Sequence, residues 1–110
     1  MVDPMDKVFH ALGHPARRRM LDIIKDEAGC NVGHVAGFFD MSRIAVMKHL
    51  KILERSNLVV SERKGRSRAL YFNAVPIQMI YDRWTTEYSA LWAERATRIK
   101  YRVESKEDDQ

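Results

Sequence analysis

The chain has 110 residues, with 19 Lys/Arg against 15 Asp/Glu, four His and a single cysteine. That length bounds it to one domain with a real but thin core, so oligomerisation is a natural way to bury more apolar surface. No apolar run approaches the roughly 20 residues of a membrane span, the opening M-V-D-P-M-D-K lacks a signal-peptide core, and Cys30 alone cannot make an intrachain disulfide; a cytoplasmic chain in a reducing compartment is expected.

A first helix is predicted over Pro4–Leu12, where Met5, Val8, Phe9 and Leu12 recur at helical spacing and Gly13 is placed to end it. A second opens at Pro15, a residue tolerated in a first turn, and runs through Met20, Leu21, Ile23 and Ile24 to Asp26. Glu27-Ala28-Gly29-Cys30 reads as a loop. A third helix, Val32 to Phe39, offers Val32, Val35, Ala36 and Phe39 to a core.

Asp40-Met41 breaks that pattern, and Ser42 can cap a fourth helix reaching Ser56. Its inward stripe is Val46, Leu50 and Leu53, with Ala45 and His49 beside it; the opposite stripe is Arg43, Ile44, Met47, Lys48 and Lys51. Asn57 tolerates a left-handed turn. Leu58–Arg63 and Arg68–Phe72 then read as strands flanking the hairpin turn Lys64-Gly65-Arg66-Ser67. Pro76 opens a last helix of about 25 residues, about 37 Å long, striped by Ile77, Ile80, Tyr81, Trp84, Tyr88, Leu91, Trp92 and Ile99. Residues 104–110 hold no apolar side chain and are expected to be a disordered polar tail, leaving 1–103 as the single domain. The fold class is mainly α with a small β-hairpin, in the order α-α-α-α-β-β-α.

Charge is distributed unevenly along these elements. The stretch 41–72 carries eight Lys/Arg (Arg43, Lys48, Lys51, Arg55, Arg63, Lys64, Arg66, Arg68) against Glu54 and Glu62, an excess of +6 in a chain of net charge +4. Everything outside it therefore sums to −2. A basic helix beside a basic hairpin is the electrostatic footprint of a duplex DNA reader. A major groove about 12 Å wide admits one helix, and only its solvent stripe reaches base edges. Arg43 suits a bidentate contact to guanine, Ile44 or Met47 a thymine methyl, and Lys48 and Lys51 phosphates. Arg63, Lys64, Arg66 and Arg68 gather at the hairpin tip, where they can straddle phosphates or enter a minor groove. Two helices and a break followed at once by such a hairpin make a winged helix-turn-helix.

The sequence resembles the ArsR (arsenic-repressor-like) winged-helix transcriptional regulators over about Val8 to Ile99. The carriers are A-L-G-H-P-A-R-R-R-M-L-D-I-I at 11–24, V-A-G-F-F-D-M-S-R-I-A-V-M-K-H-L-K-I-L-E-R-S-N-L-V at 35–59, and G-R-S-R-A-L-Y-F at 65–72. The middle block is the specific one, through Ser42, Ala45, Val46, His49, Leu50 and Leu53. The resemblance implies a homodimer built by the first and last helices that represses transcription at a two-fold operator and leaves double-stranded DNA when an effector binds. The DNA-contacting set expected is Ser42, Arg43, Ile44, Met47, Lys48, His49 and Lys51 with Arg63, Lys64, Arg66 and Arg68; the dimer set is Met5, Val8, Phe9, Leu12, Ile77, Tyr81, Trp84, Tyr88, Leu91 and Trp92. Independently, Trp84, Tyr88 and Trp92 at four-residue spacing are too aromatic for a solvent face, and either a symmetry mate or the chain's own domain can cover them.

Many relatives in that family hold metal through a Cys-x-Cys pair at the start of the third helix, where this chain has Asn31 and Gly33, and others through His on the last helix, where it has none. Cys30 and His34 supply two ligands, short of the four typical of zinc. No metal or other cofactor is expected, and the effector is unknown. Gly13 separates His10 from His14 and argues against a shared ligand face. Arg17, Arg18 and Arg19 form a second basic cluster, read equally as support for the fold and as a solvated helix face. No nucleophile is paired with a base and no Gly-rich phosphate loop follows a strand, so an enzyme is not expected. The alternative is a winged-helix protein-interaction module or antirepressor without specific DNA binding.

Overall fold

The structure is a computed structural model that describes residues 3–85 and 87–108, with 87–91 and 105–108 described through the backbone alone. Its order is α1 (Pro4–Leu12), α2 (Pro15–Asp26), α3 (Val32–Ala36), α4 (Arg43–Arg55), β1 (Val59–Lys64), β2 (Ser67–Phe72), α5 (Val75–Trp84) and α6 (Glu87–Asp108). The chain forms two compact units, Met1–Gln78 and Met79–Gln110, the boundary falling within α5. Among the described residues no helix is long and apolar enough to cross a membrane.

Side chains start the first four helices. The carboxylate of Asp3, Nδ1 of His14, the amide oxygen of Asn31 and the hydroxyl of Ser42 accept from the backbone N–H of Met5, Ala16, His34 and Ala45, at 2.9, 3.1, 2.8 and 3.1 Å. Each satisfies a donor that a helix N-terminus otherwise leaves open. At the far end of α4 the chain closes in a Schellman motif. Asn57 adopts φ 64°, its N–H donating to the Glu54 carbonyl at 3.0 Å and that of Leu58 to Leu53 at 3.0 Å. Leu53 and Leu58 are both fully buried.

The first unit packs α1 on α2 and α4, α3 on α4, and the hairpin against α2, α3 and the end of α4. Its core is built on Met20 and Ile24 of α2, Val35 of α3, Val46, Leu50 and Leu53 of α4, and Leu58, Val59 and Leu70 of the hairpin. The hairpin is antiparallel, with Arg63 opposite Arg68 and Lys64 opposite Ser67, so Gly65 and Arg66 alone make the turn. Gly65 stands at φ +60° in the first central position, as a two-residue turn of type II′ requires.

Several expectations are corrected here. The loop before α3 is tied to the hairpin: Gly29 N–H donates to Leu70 O and Leu70 N–H to Cys30 O, both at 2.8 Å, so Cys30 makes an isolated antiparallel bridge to β2. The third helix ends at Ala36, because Gly37 caps it and the next two N–H groups turn back in tight i→i−3 bonds. The single final helix is two segments interrupted at Thr85, whose hydroxyl donates to the Tyr81 carbonyl; such back-bonding of a threonine bends helices. The tail expected to be disordered from Glu104 is helical to Asp108, α6 carrying the i,i+4 ion pairs Glu94–Arg98 and Lys100–Glu104 that support a solvated helix. The dimer candidate Val8 lies in the core of its own unit, since α1 turns Val8 and Ala11 towards α2 and α4.

Candidate nucleic-acid interface

Burial of Val46, Leu50 and Leu53 dictates what α4 leaves outside. At 3.6 residues per turn the opposite stripe carries Arg43, Ile44, Met47, Lys48 and Lys51, all exposed, with Ile44 71% accessible. Ile44 is thus an apolar side chain left outside the core of its unit. Ser42 is exposed at the head of the helix and is committed to the cap.

The wing supplies the second half. Arg63, Lys64, Arg66 and Arg68 are all exposed, and the register sets Arg63 directly across from Arg68. Like charges in that relation weaken a hairpin. An anion between them would relieve the repulsion. Arg63 Nε turns to the Gly65 carbonyl at 3.4 Å, which keeps its side chain at the tip.

Helix and wing meet across one groove of about 750 Å³, walled by Arg43, Ile44, Met47, Lys48, Lys51 and Glu54 from α4 and by Arg68 and Leu70 from β2, with Val32 and Leu50 also lining it. A smaller cleft of about 320 Å³ continues from it between α3 and the wing and gathers Arg43, Arg66 and Arg68 beside Asn31 and Ser67. The structure thus brings Arg43, Arg66 and Arg68 together from two elements. Lys64 and Arg63 stay at the tip, outside both spaces.

His49, a member of the expected DNA-contacting set, is turned towards α2 at its Nδ1. Its ring is half-buried, Nδ1 lies 3.2 Å from a terminal nitrogen of Arg17, and the His14 ring centroid is 4.7 Å away. Burial first, then His14 and Arg17, hold its pKa below the ordinary imidazole value. Arg17, left undecided from sequence, is buried: Nε donates to the Ala11 carbonyl at 2.8 Å and a terminal nitrogen to the His10 carbonyl at 2.9 Å. With Arg18, which donates to the Leu12 carbonyl at 2.7 Å, it closes the C-terminus of α1.

Of the dimer candidates, Phe9, Ile77, Tyr81, Trp84 and Trp92 are exposed on the chain, and Met5 and Leu12 are half-buried. The side chains of Tyr88 and Leu91 lie outside the described residues. Among the described residues no group of three or more His, Cys, Asp or Glu is placed to hold a metal ion. His34 and Cys30 are engaged elsewhere, His34 Nε2 with Glu27 at 2.5 Å and Cys30 in its bridge to Leu70.

Comparison with known proteins gives this geometry a family. Residues 12–62 match the helix-turn-helix domain family HTH_20. The uncharacterized HTH-type transcriptional regulator YuzN of Bacillus subtilis is 35% identical, over 72% of this chain and 92% of its own length. The transcriptional repressor SdpR of the same organism is 31% identical, over 67% of this chain and 81% of its own. Among solved structures, an ArsR-like transcriptional regulator from Rhodococcus sp. RHA1 superposes with TM-score 0.70 at 27% identity, covering 93% of this chain and 92% of that one. The crystal structure of a further ArsR family transcriptional regulator gives TM-score 0.71 at 28% identity, covering 83% and 98%. The chain belongs to the ArsR-type winged helix-turn-helix transcriptional regulators.

Proposed function

We propose that the chain is a homodimeric repressor that reads a two-fold operator in double-stranded DNA. Arg43, Ile44, Met47 and Lys48 enter the major groove, Lys51 and the Ser42 end of α4 meet phosphates, and Arg63, Lys64, Arg66 and Arg68 grip flanking backbone. The observation that carries this is the convergence of the exposed α4 stripe and the basic wing on one groove. The repressor assignment is supported by SdpR, which is itself a transcriptional repressor. It acts by binding, without catalysis, in the cytoplasm, and an effector that favours the DNA-free form releases it.

Dimerisation is supported by the exposure of Trp84 and Trp92, at 54% and 49%, since exposed aromatics of that size favour burial against a partner. Selection of duplexes from a random library, followed by footprinting, tests the whole proposal. The expected footprint has two related half-sites whose centres lie about 34–36 Å apart or a multiple of it. Recovery of no preferred sequence, or of a single asymmetric site, would overturn it. A screen of metal ions and small molecules for release from the selected duplex then finds the effector.

A further inference from the structure

Arg17 is the one charged side chain buried among the described residues, and it joins three elements. It belongs to α2, it donates to the Ala11 and His10 carbonyls at the end of α1, and its remaining terminal nitrogen reaches Nδ1 of His49 on α4. A guanidinium offers only donors, so Nδ1 of His49 has to be the acceptor. That requires an imidazole with no proton on Nδ1. His14 obeys the same condition, because its own Nδ1 accepts the Ala16 N–H as the cap of α2. The two rings are tilted at 53° to one another, and His49, on the helix whose outer face carries Arg43, Ile44, Met47 and Lys48, loses its hydrogen bond from Arg17 on taking up a second proton.

We propose that Arg17 and His49 are a positioning pair that sets how α4 is held against α1 and α2, and that protonation of His49 in mild acid breaks the pair and lowers affinity for duplex DNA. This rests on α4 being the DNA-reading helix. Protonated His49 would face the Arg17 guanidinium at hydrogen-bond distance and the His14 ring behind it, two cations or potential cations from α2. The ionisable side chains of α1 are Asp6, Lys7 and His10, and that of α3 is His34, which is paired with Glu27. On α4 itself Arg43, Lys48, Lys51, Glu54 and Arg55 ionise. Besides burial, the charges that lower the His49 pKa are those of His14 and Arg17.

The sign separates this from ordinary electrostatics. A histidine that merely adds charge near DNA strengthens binding as it protonates. His49 has its folded-state pKa lowered, so the neutral form is favoured in the folded state, and the advantage is lost as pH falls below the ordinary histidine value of about 6.5. Repulsion between protonated His49 and Arg17 also displaces α4 from its reading position, so affinity falls in acid, where the simple electrostatic effect makes it rise.

The test is fluorescence anisotropy of the full chain, at constant ionic strength, on a duplex selected from a random library at about pH 8 and titrated to about pH 5. The wild-type chain is expected to lose roughly tenfold in affinity across that range. His49→Gln keeps an acceptor for Arg17 that does not titrate, and its affinity should stay level or rise in acid. His14→Asn keeps a good helix cap and removes one of the charges that depress His49, so the midpoint of the fall should move to higher pH. Affinity that is flat or rising in the wild-type chain would overturn the proposal, with no variant needed. An equal fall in His49→Gln, or an unmoved midpoint in His14→Asn, would do the same. Failure to select any duplex at about pH 8 would instead strike down the DNA-reading role of α4, and this inference with it.

Discussion

Arg68 of the wing and Glu54 of α4 face one another at 3.9 Å across the candidate groove. Among the described residues Glu54 is the one carboxylate lining that groove, in a wall otherwise supplied with Arg43, Lys48, Lys51 and Arg68. Both side chains keep solvent contact, so the pair contributes at most about 1 kcal/mol to stability. Its larger effect is on the field presented to a polyanion. Glu54→Gln should leave the thermal midpoint nearly unchanged and raise affinity for random duplex by a few-fold at low salt, the gain shrinking as salt is added. Anisotropy titrations of variant and wild-type chain at two salt concentrations check this, and unchanged random-DNA affinity would show Arg68 to be no part of the footprint.

The division of labour along α4 is open to a different measurement. Lys48→Ala and Lys51→Ala each remove a charge suited to phosphate and should weaken binding to every sequence while lowering the salt slope by about one. Arg43→Ala should cost about 1–3 kcal/mol on the selected duplex and relax its preference at one base pair. An Arg43→Ala variant that loses equally on selected and random DNA would assign Arg43 to the backbone instead.

Asn57 closes α4 at φ 64°, between the Leu53 and Leu58 that the core fully buries. Asparagine is tolerated there, glycine is free of the penalty, and a β-branched residue is not accommodated. Asn57→Gly should be neutral within a few tenths of a kcal/mol or slightly stabilising, whereas Asn57→Val should cost about 1–2 kcal/mol. Denaturant melts of the two variants read the difference directly.

Ser42, Asn57 and Gly65 were legible in the sequence because each acts within a few residues of itself, through a cap, a left-handed turn or a hairpin. The α4 stripes followed from periodicity, and with them most of the candidate interface. Arg17 was not legible, since its acceptors are carbonyls that meet it only after α2 has folded back on α1. The Arg17 contact of His49 was not legible for a related reason: His49 lies at the edge of the inward stripe, and only the position of Arg17 decides which way its ring faces. Asn73 was passed over altogether. It ties the exit of β2 to the end of α4, its side chain donating to the Asn57 carbonyl at 2.9 Å and its N–H to that of Leu58 at 2.9 Å, contacts made across 15 or more positions. The tail was misread because composition alone does not count i,i+4 pairs.

Cys30 bridges to β2 and is half-buried, and burial first, with the Glu27 carboxylate second, raises its thiol pKa above the ordinary value. The thiolate is the reactive form. Alkylation of Cys30 by iodoacetamide at neutral pH should therefore be slower than that of a free cysteine peptide, and should climb only at alkaline pH. Mass spectrometry of timed aliquots measures both rates. Faster labelling than the peptide would mean that the Cys30–Leu70 bridge opens readily in solution.

The last helices carry the remaining expectation. Trp84 and Trp92 are both close to half accessible on the single chain, each with an arginine guanidinium 5.0 Å from its ring, Arg83 on Trp84 and Arg95 on Trp92. A cation stacked on a ring covers one face and leaves the remainder able to bury against a partner. If the pair of indoles anchors a homodimer, Trp84→Ala and Trp92→Ala should each weaken self-association by at least about 2 kcal/mol, the scale of an interface anchor. Sedimentation velocity across a dilution series would then show monomer at concentrations where the wild-type chain is dimeric. Affinity for a two-fold operator should fall with it, while binding to a single half-site stays as it was, because α4 and the wing belong to the other compact unit. Variants that sediment like the wild-type chain would place the dimer contact on other surfaces, such as the exposed Phe9 of α1.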